Sequence, residues 1–440
     1  MKLVKMSLLA AVLISTSAYA IDNIEVSGDA KLYYGTNDGF DTNFDPDSDV
    51  SLFSKPSSWG QASLGLGVTA DLAEGISSGA HLTAVSTVGL TNIVNGVFES
   101  GLTDEYWFDE AWISGTYGKT TAKIGRMRLD TPLVFTETWS VAYNTFEAGM
   151  ITNEDIPDTT LAAAYIGAAN NGNAGGMWLT NQYAGVTADN NGTQNTTFAP
   201  VNGGKGAYAF GVVNNSWVPL TAQAWYYTLP NTGTSYWLQA DYAADFGLSL
   251  GAQFTGIEDK TVATGDDTNM AYAAKIGYEM KDVFAISAAG SQTGENDNGM
   301  GAGFNYFGAQ SKLYTEAWWN FGYVGLPDTT TINVTATIPE ELTYVALGVY
   351  ATQTSTKDGL TVYDATGANP VVSDLKMSEV TLEVAKSFGN LDAGIYYIFT
   401  NAEDQNAKTI DIGTPADPDV VQTEKGNSYS SVQVYLTYNF

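Results

Sequence analysis

The last nine residues, Val432-Gln-Val-Tyr-Leu-Thr-Tyr-Asn-Phe440, are the stretch that decides the fold. Every second residue from Val432 to Phe440 is apolar or aromatic, and the residues between them are polar except for Tyr435. Side chains of a β-strand point alternately to its two faces, so a period of two indicates a strand with one apolar face. We therefore expect the chain to end on a half-apolar strand.

The same alternation recurs along the chain, at 24–32, 248–255, 272–279, 332–338, 379–384 and 391–400. In a soluble sandwich the apolar face of such a strand points into a core, whereas in a membrane barrel it points to lipid and the polar face lines the lumen. The pattern alone does not separate these cases. Segments of about ten residues suit a tilted bilayer crossing, and the aromatic residues that end many of them suit the two membrane interfaces. Both features favour the barrel.

The connections between these segments alternate between short and long. Short connections are predicted at 71–75, 117–119, 154–159, 214–219, 245–247, 280–282, 339–342 and 388–390. Long polar connections are predicted near 36–60, 90–104, 129–142, 169–204, 229–234, 257–268, 292–330, 353–375 and 401–427. Weak alternation near 76–89, 143–152 and 160–168, and a further candidate strand at 313–319, leave a range of about 16 to 18 strands, with 18 preferred. The sequence thus predicts an all-β fold, a transmembrane antiparallel β-barrel.

The first twenty residues have the organisation of a secretory signal peptide. Lys2 and Lys5 precede a short apolar run at 6–14, and Ala18-Tyr19-Ala20 has the small-x-small pattern of a cleavage site. The run is far shorter than the ~20 residues of a spanning helix, which argues against a membrane anchor. We predict a signal peptide at 1–20 and a barrel domain at 21–440, exported to the bacterial outer membrane.

Composition and charge exclude several functions. The chain has no cysteine, so disulfide and thiolate chemistry are absent. Removing Lys2 and Lys5 from the 18 basic residues leaves 16 against 48 acidic ones, a net charge of −32. Nucleic acid is excluded as a partner because phosphate binding needs clustered Lys and Arg. A field of this sign attracts cations.

A barrel of this width has a lumen too wide for side chains to fill, so we expect it to hold water. Acidic residues predicted to face that lumen are Glu25, Asp29, Glu110, Asp241, Glu279, Glu379, Glu383 and Asp392. Inward bases are few, namely Lys31, Lys123 and Lys275. The hypothesis that follows is a channel for passive diffusion of ions and small hydrophilic solutes, with a preference for cations.

The third long connection is the candidate for narrowing the pore. Arg126 and Arg128, the only arginines in the chain, lie at its root, with Asp130 and Glu137 following. Opposed Arg and acidic side chains across a constriction would sort solutes by charge. Alternatively, the arginines pin the loop to the wall through ion pairs. The strand alternation puts Arg126 on the lipid face unless a bulge at Gly125 shifts the register.

Several segments resemble the OprD-type outer-membrane porins, and most closely the major outer-membrane porins of Campylobacter and its relatives. They are Phe108-Asp-Glu-Ala-Trp112, Lys123-Ile-Gly-Arg126, Leu129-Asp-Thr-Pro-Leu133, Asn144-Thr-Phe-Glu-Ala148 and the stretch 155–166. The resemblance implies an 18-stranded barrel, usually a homotrimer, with the third loop folded inward. The basic ladder of the OprD branch is not carried over, because this chain lacks the arginines for it.

The last strand carries a second resemblance. Tyr438 and Phe440 on its apolar face resemble the signal that the barrel assembly machinery reads. Outer-membrane lipid and lipopolysaccharide are the surroundings that such a barrel implies.

Two possible sites are weighed and set aside. His81, the only histidine, is interpreted as a polar residue of the pore wall, since no Gly-x-Ser-x-Gly nucleophile motif accompanies it. Asp45, Asp47 and Asp49 have a spacing that can gather round Ca²⁺, but the Gly and distal Glu of an EF-hand are missing, so a solvated acidic loop is favoured. No cofactor is required by any motif in the sequence.

Other functions remain open. A surface adhesin or structural barrel with a blocked lumen is the main alternative, because long loops serve either role. An outer-membrane hydrolase is disfavoured by the single histidine, so we expect no enzymatic activity. A transporter with a plug domain is disfavoured because 18 strands leave no room for the plug.

Overall fold

The structure is a computed structural model that describes residues 22–39, 50–94, 104–170, 198–263, 265, 267–296, 298–308, 310–363, 370–402, 408–411, 421–424 and 428–440. The signal peptide predicted at 1–20 and the loop aspartates Asp45, Asp47 and Asp49 lie outside these residues.

Eighteen strands form the wall of a closed antiparallel barrel. They are β1 (Asp22–Asn37), β2 (Ser58–Ala73), β3 (Ile76–Ser86), β4 (Asp104–Tyr117), β5 (Thr120–Met127), β6 (Phe146–Asn153), β7 (Thr159–Ala169), β9 (Ala207–Trp217), β10 (Leu220–Leu229), β11 (Gly233–Ala243), β12 (Leu248–Asp259), β13 (Thr268–Met280), β14 (Phe284–Thr293), β15 (Thr329–Ile338), β16 (Ala346–Tyr363), β17 (Pro370–Phe388), β18 (Leu391–Ala402) and β21 (Tyr429–Asn439). The last strand, β21, pairs with β1 from Asp29–Asn439 to Asn37–Ser431 and closes the barrel. The predicted fold class and the preferred strand count are confirmed.

Short strands and helical turns lie in the connections between wall strands. Strand β8 (Ala199–Pro200) pairs with the end of β7, while β19 (Lys408–Asp411) and β20 (Val421–Glu424) pair only with each other. Helix α1 (Glu340–Thr343) and the 3₁₀ turns Leu90–Asn92, Val201–Gly204 and Phe321–Tyr323 complete the described elements. Among the described residues, no helix has the length and apolarity that crossing a membrane requires.

The strands present their apolar faces outward, as the alternation predicts. On β18, Ile395 is 54% exposed on the outer surface, whereas Ile398, three residues further along, is fully buried inside. Buried threonines such as Thr400 lie on the inner face of the same strand. The apolar side of the wall therefore faces outward and the polar side faces the lumen, the arrangement of a membrane barrel.

The turn predictions agree with the structure, whereas one loop prediction and one candidate strand do not. All eight short connections fall between consecutive wall strands at the predicted places. The loop predicted at 353–375 is wrong in extent, because β16 continues to Tyr363 and β17 begins at Pro370. Its Thr-, Ser- and Val-rich sequence suits a strand, and pairing resumes after a register shift between Thr356 and Leu360. The candidate strand at 313–319 is not a wall strand.

Two long connections fold into the barrel. Loop L3 (residues 128–145) joins β5 to β6, and loop L7 (residues 294–328) joins β14 to β15. Leu133 of L3 and Leu313 of L7 are each 2% exposed, and both belong to one apolar cluster with Trp225 and Trp237 of the inner wall. The inward third loop was predicted, whereas the inward path of L7 was not.

Candidate pore constriction

Loop L3 leaves the wall as a tight hairpin. Asp130 and Phe135 form an isolated bridge, and the Thr136 amide donates to the Leu129 carbonyl at 2.8 Å. Between them Thr131 donates its hydroxyl to the Val134 carbonyl at 2.8 Å, which closes the turn. These local bonds satisfy the backbone of a segment that has left the sheet, so L3 holds a defined shape inside the barrel.

Glu137 joins L3 to L7. Its carboxylate accepts hydrogen bonds from the Gln310 amide at 2.8 Å, from Asn305 Nδ2 at 3.0 Å and from Trp139 Nε1 at 3.0 Å. The side chain is 1% exposed. Glu137 therefore lies inside the barrel on the predicted loop, but it is buried and bonded to donors of L3 and L7, so its part in the constriction is to join these two loops.

Glu379 fastens L7 to the wall. Its carboxylate accepts hydrogen bonds from the backbone amides of Trp318, Trp319 and Asn320 at 2.8 to 3.2 Å. Asn320 Nδ2 adds another bond at 2.7 Å. The residue is 2% exposed. It was predicted as an acid that lines the lumen, and it does face inward, but L7 covers it, so it has little contact with the water of the pore.

A second anchor lies across L7 on β11 and β12. The Tyr314 hydroxyl donates to Asp241 at 2.6 Å, and Gln253 accepts the Tyr314 amide at 3.0 Å while donating to the Lys312 carbonyl at 2.8 Å. Burial raises the pKa of the Tyr314 hydroxyl above its ordinary range, and the Asp241 carboxylate reinforces the rise. Tyr314 therefore remains a neutral donor. L7 is thus held to both sides of the inner wall.

Glu316 lies between these anchors. Its carboxylate accepts the Ser311 amide at 3.1 Å. Burial raises the pKa of Glu316 to about 8, and the nearby Glu137 carboxylate adds to the rise. A protonated Glu316 at neutral pH avoids two like charges in the interior of the loops.

The two arginines have different positions. β4 and β5 keep one register through Gly125 without a shift, so Arg126 stays on the outer face with the exposed Ile124. It pairs with Glu147 at 2.9 Å and stacks on the Phe198 ring. The outward position of Arg126 therefore contradicts its predicted part in the constriction. Its ion pair joins β5 to β6, so it does not pin L3 to the wall either.

Arg128, in contrast, lies inside. Its Nε donates to Glu110 at 2.9 Å, and its Nη2 lies 3.6 Å from Asp109. A register irregularity opposite His81 allows both acids to contact inward partners, although strict alternation would put Asp109 outward. Sequence analysis named Glu110 and missed Asp109, since nothing local marks the bulge.

Paired charges surround Arg128. His81 Nδ1 lies 2.6 Å from Asp109 and Nε2 lies 3.6 Å from Asp29, which also pairs with Lys31 at 2.6 Å. Lys31 and Arg128 both contact the Tyr143 ring of L3. The bases of this cluster are therefore each matched by carboxylates. Among the described residues no group of three or more His, Cys, Asp or Glu is placed to hold a metal ion.

The remaining predicted residues fall into three settings. Asp130 of L3 forms an ion pair with Lys312 of L7. Glu383 accepts the hydroxyls of Tyr350 at 2.6 Å and Tyr396 at 3.2 Å. Glu25 near the start of β1, Glu279 near the end of β13 and Asp392 near the start of β18 are exposed.

The last residues complete the wall. Phe440 exchanges backbone hydrogen bonds with Gly28 at 2.7 and 2.9 Å, and its ring stacks on Tyr438 at a centroid distance of 6.2 Å. A Cβ on Gly28 would overlap the Phe440 ring, so this close approach requires glycine. The predicted assembly role of Tyr438 and Phe440 stays a prediction.

Sequence analysis missed an aromatic band on the inner wall. Tyr33, Tyr435 and Tyr396 lie on β1, β21 and β18, with ring centroids 4.8 and 5.6 Å apart in that order. Trp318 of L7 stacks on Tyr396 at 4.5 Å. The tyrosines occupy inward positions on three neighbouring strands. The period-two pattern of each strand was the available signal, but the partner from L7 could not be predicted from it.

Solved structures share this architecture. OpdQ of Pseudomonas aeruginosa superposes with a TM-score of 0.64 at 13% identity, covering 96% of this chain and 98% of OpdQ. OccD3 (OpdP) of the same organism gives 0.62 at 12% identity, with 96% and 92% covered. Its OpdK, solved with vanillate, gives 0.64 at 10% identity, with 96% and 99% covered. No protein-family model and no curated protein matches the sequence. The chain has the 18-stranded barrel fold of the OprD/Occ porins.

Proposed function

We propose that this protein is a porin of the bacterial outer membrane through which ions and small hydrophilic solutes diffuse passively, with a preference for cations. The closed barrel and its porin-like fold support a channel. Arg128 and Asp130 are the predicted constriction residues that retain lumen-side partners. The other two, Arg126 and Glu137, serve the wall and the loop junction.

The unequal pairing of lumen charges carries the cation preference. The bases Lys31, Arg128 and Lys312 each form an ion pair with a carboxylate. Lys123 and Lys275, the other two bases predicted to face the lumen, lie over the rings of Trp112 and Tyr314. Asp241 and Glu383 instead accept tyrosine hydroxyls, and within the described residues neither has a basic side chain within ion-pair distance. Their negative charge is therefore not cancelled locally, and it lowers the free energy of a cation in the pore.

Further expectations belong to the same proposal. The signal peptide 1–20 is removed before the barrel 21–440 assembles through its last strand. The mature protein forms a homotrimer in contact with lipopolysaccharide. Among porins it resembles the major outer-membrane porins of Campylobacter. It acts without a cofactor or enzymatic activity, and any Ca²⁺ at Asp45, Asp47 and Asp49 would bridge loops to lipid headgroups.

Planar-bilayer recording tests this function. We expect stepwise conductance and a cation-selective reversal potential in a KCl gradient. The double variant Asp241→Asn, Glu383→Gln should lower the cation preference, whereas Glu154→Gln in an exposed short turn should not change it. A folded barrel without conductance would contradict the porin function and favour the alternative, an adhesin or structural protein whose lumen is blocked by L3 and L7. An unchanged preference in the double variant would contradict the role of these acids.

A further inference from the structure

An aromatic recess opens in the lumen where L3 and L7 meet the inner wall of β15, β16, β18 and β21. It has a volume of about 440 Å³. Eight of its lining residues are aromatic, and four of them, Trp318, Tyr350, Tyr396 and Tyr435, form a connected group of ring contacts. All four side chains are partly exposed, so their rings are accessible from the recess.

The rings are arranged around one space. Trp318 lies nearly parallel to Tyr396 at 4.5 Å and tilted against Tyr350 at 5.1 Å, while Tyr435 meets Tyr396 edge-on at 5.6 Å. Rings in several orientations present more than one electron-rich face to a bound group. Such faces attract cations through the ring quadrupole, most strongly where water is excluded.

The charges around the recess favour a positive ligand. Glu383 lies behind Tyr350 and Tyr396 and accepts both hydroxyls. A phenol that donates to a carboxylate is polarised toward higher electron density in its ring. Among the described residues no Lys, Arg or His lines the recess, so a carboxylate would find no ion-pair partner there, and the lining includes one further acid, Glu316. Because both hydroxyls donate to Glu383, they are less available to donate to a sugar.

The recess is held in shape before any ligand arrives. The Glu379 carboxylate binds three successive backbone amides at 318–320 and so fixes the segment that carries Trp318. Trp319 stacks on Trp59 of β2 at 6.0 Å and supports the same segment. A preformed site does not lose conformational entropy when it binds, so weak contacts can give measurable affinity.

We propose that this recess is a binding site for organic cations, in particular quaternary ammonium groups, on their passage through the barrel. The proposal rests on the channel proposed above for its physiological meaning, but binding itself does not require conduction. The ammonium group would lie against Trp318, Tyr350 and Tyr396 with Glu383 behind the rings. Inorganic ions, whose hydration shells are tighter, would pass without being retained.

Choline and its uncharged isostere 3,3-dimethylbutan-1-ol form a matched pair of probes for the test. With the full barrel in detergent, we expect choline to quench tryptophan fluorescence saturably and the isostere to bind at least about 10-fold more weakly, a difference of about 1.4 kcal/mol. Trp318→Leu and Glu383→Gln should each weaken choline binding several-fold. Trp217→Leu removes a tryptophan that is 68% exposed on β9 and should leave binding unchanged.

Equal affinity for choline and the isostere, tighter binding of glucose, or no saturable binding would each overturn the proposal. If Trp318→Leu fails to fold, Glu383→Gln with the isostere comparison still decides it. In planar bilayers choline should block KCl current in the native channel. Conductance steps without choline block or binding would overturn the proposed cation site and leave the proposed porin function intact. Choline binding in detergent without conductance steps would overturn the porin function and leave the cation site.

Discussion

Glu379 accepts hydrogen bonds from both amide nitrogens of Asn320, the backbone one at 2.8 Å and the side-chain one at 2.7 Å. The two residues belong to different parts of the chain, the wall strand β17 and the inward loop L7. A carboxylate with several amide donors is the arrangement that stabilises a buried charge. Glu379 is therefore one of the anchors that fix L7 inside the pore, together with Asp241 and Gln253 on the other side of the inner wall.

Replacing this carboxylate should loosen L7 while the barrel stays assembled. Glu379→Gln turns one acceptor oxygen into a donor that faces other donors, and we expect a loss of about 1–3 kcal/mol. Thermal unfolding and single-channel noise measure the effect, with noise expected to rise. Glu279→Gln on an exposed strand end is the control. Equal behaviour of the two variants would contradict the anchor.

The junction of L3 and L7 should be sensitive to one added methyl group. A Cβ on Gly308 would overlap the Glu137 carboxylate, whereas a Cβ on Gly149 meets nothing within 4 Å. We expect Gly308→Ala to destabilise the protein by about 1–3 kcal/mol through overpacking, and Gly149→Ala to have a much smaller effect. Denaturant unfolding of the two variants in matched detergent compares them. If Gly308→Ala is as stable as Gly149→Ala, L3 and L7 are not tightly packed at this junction.

Glu316 should make the stability of the loops depend on pH. Its folded pKa of about 8 exceeds the ordinary value of 4.5, so the folded state holds a proton that the unfolded state releases. The free energy of unfolding that this proton adds is complete below pH 4.5 and is lost as the pH rises to 8. The loss is at most about 1.4 kcal/mol per pH unit. Thermal scans of Glu316→Gln against the native protein at pH 5 and pH 9 should show the variant gaining relative stability at pH 9. An equal stability difference between variant and native protein at both pH values would contradict the raised pKa of Glu316.

The two arginines should differ in their effect on ion selectivity. Arg128→Gln leaves Glu110 without its 2.9 Å partner, so we expect a higher cation-to-anion permeability ratio in a KCl gradient. Arg126→Gln removes a half-exposed pair on the outer wall, so we expect no change in selectivity and a stability change of at most about 1 kcal/mol. A selectivity change of equal size in both would place Arg126 in the pore.

Local sequence determined the wall of this protein. Alternation with a period of two depends only on neighbouring residues, and turn residues mark each reversal, so most strands and the eight short turns could be predicted from it. The extensions of β16 to Tyr363 and of β17 from Pro370 could not. The outward position of Arg126 followed from the same alternation, since no bulge interrupts β5 at Gly125. Where a bulge does occur, beside Asp109, the prediction failed because the sequence gives no local mark of it.

Only the tertiary structure decided which of the inward-facing acids are exposed to the water of the pore and which are bonded to the loops. Glu137, Glu379 and Glu383 look alike in sequence, yet Glu137 joins two loops, Glu379 fastens one of them and Glu383 supports two tyrosines. Apart from Trp139, which lies two residues after Glu137, the partners described above lie 13 to 173 residues away along the chain. The path of a loop inside a barrel is fixed by such long-range contacts and not by the propensities of its own residues, and for that reason L7 and the aromatic recess became visible only in the folded molecule.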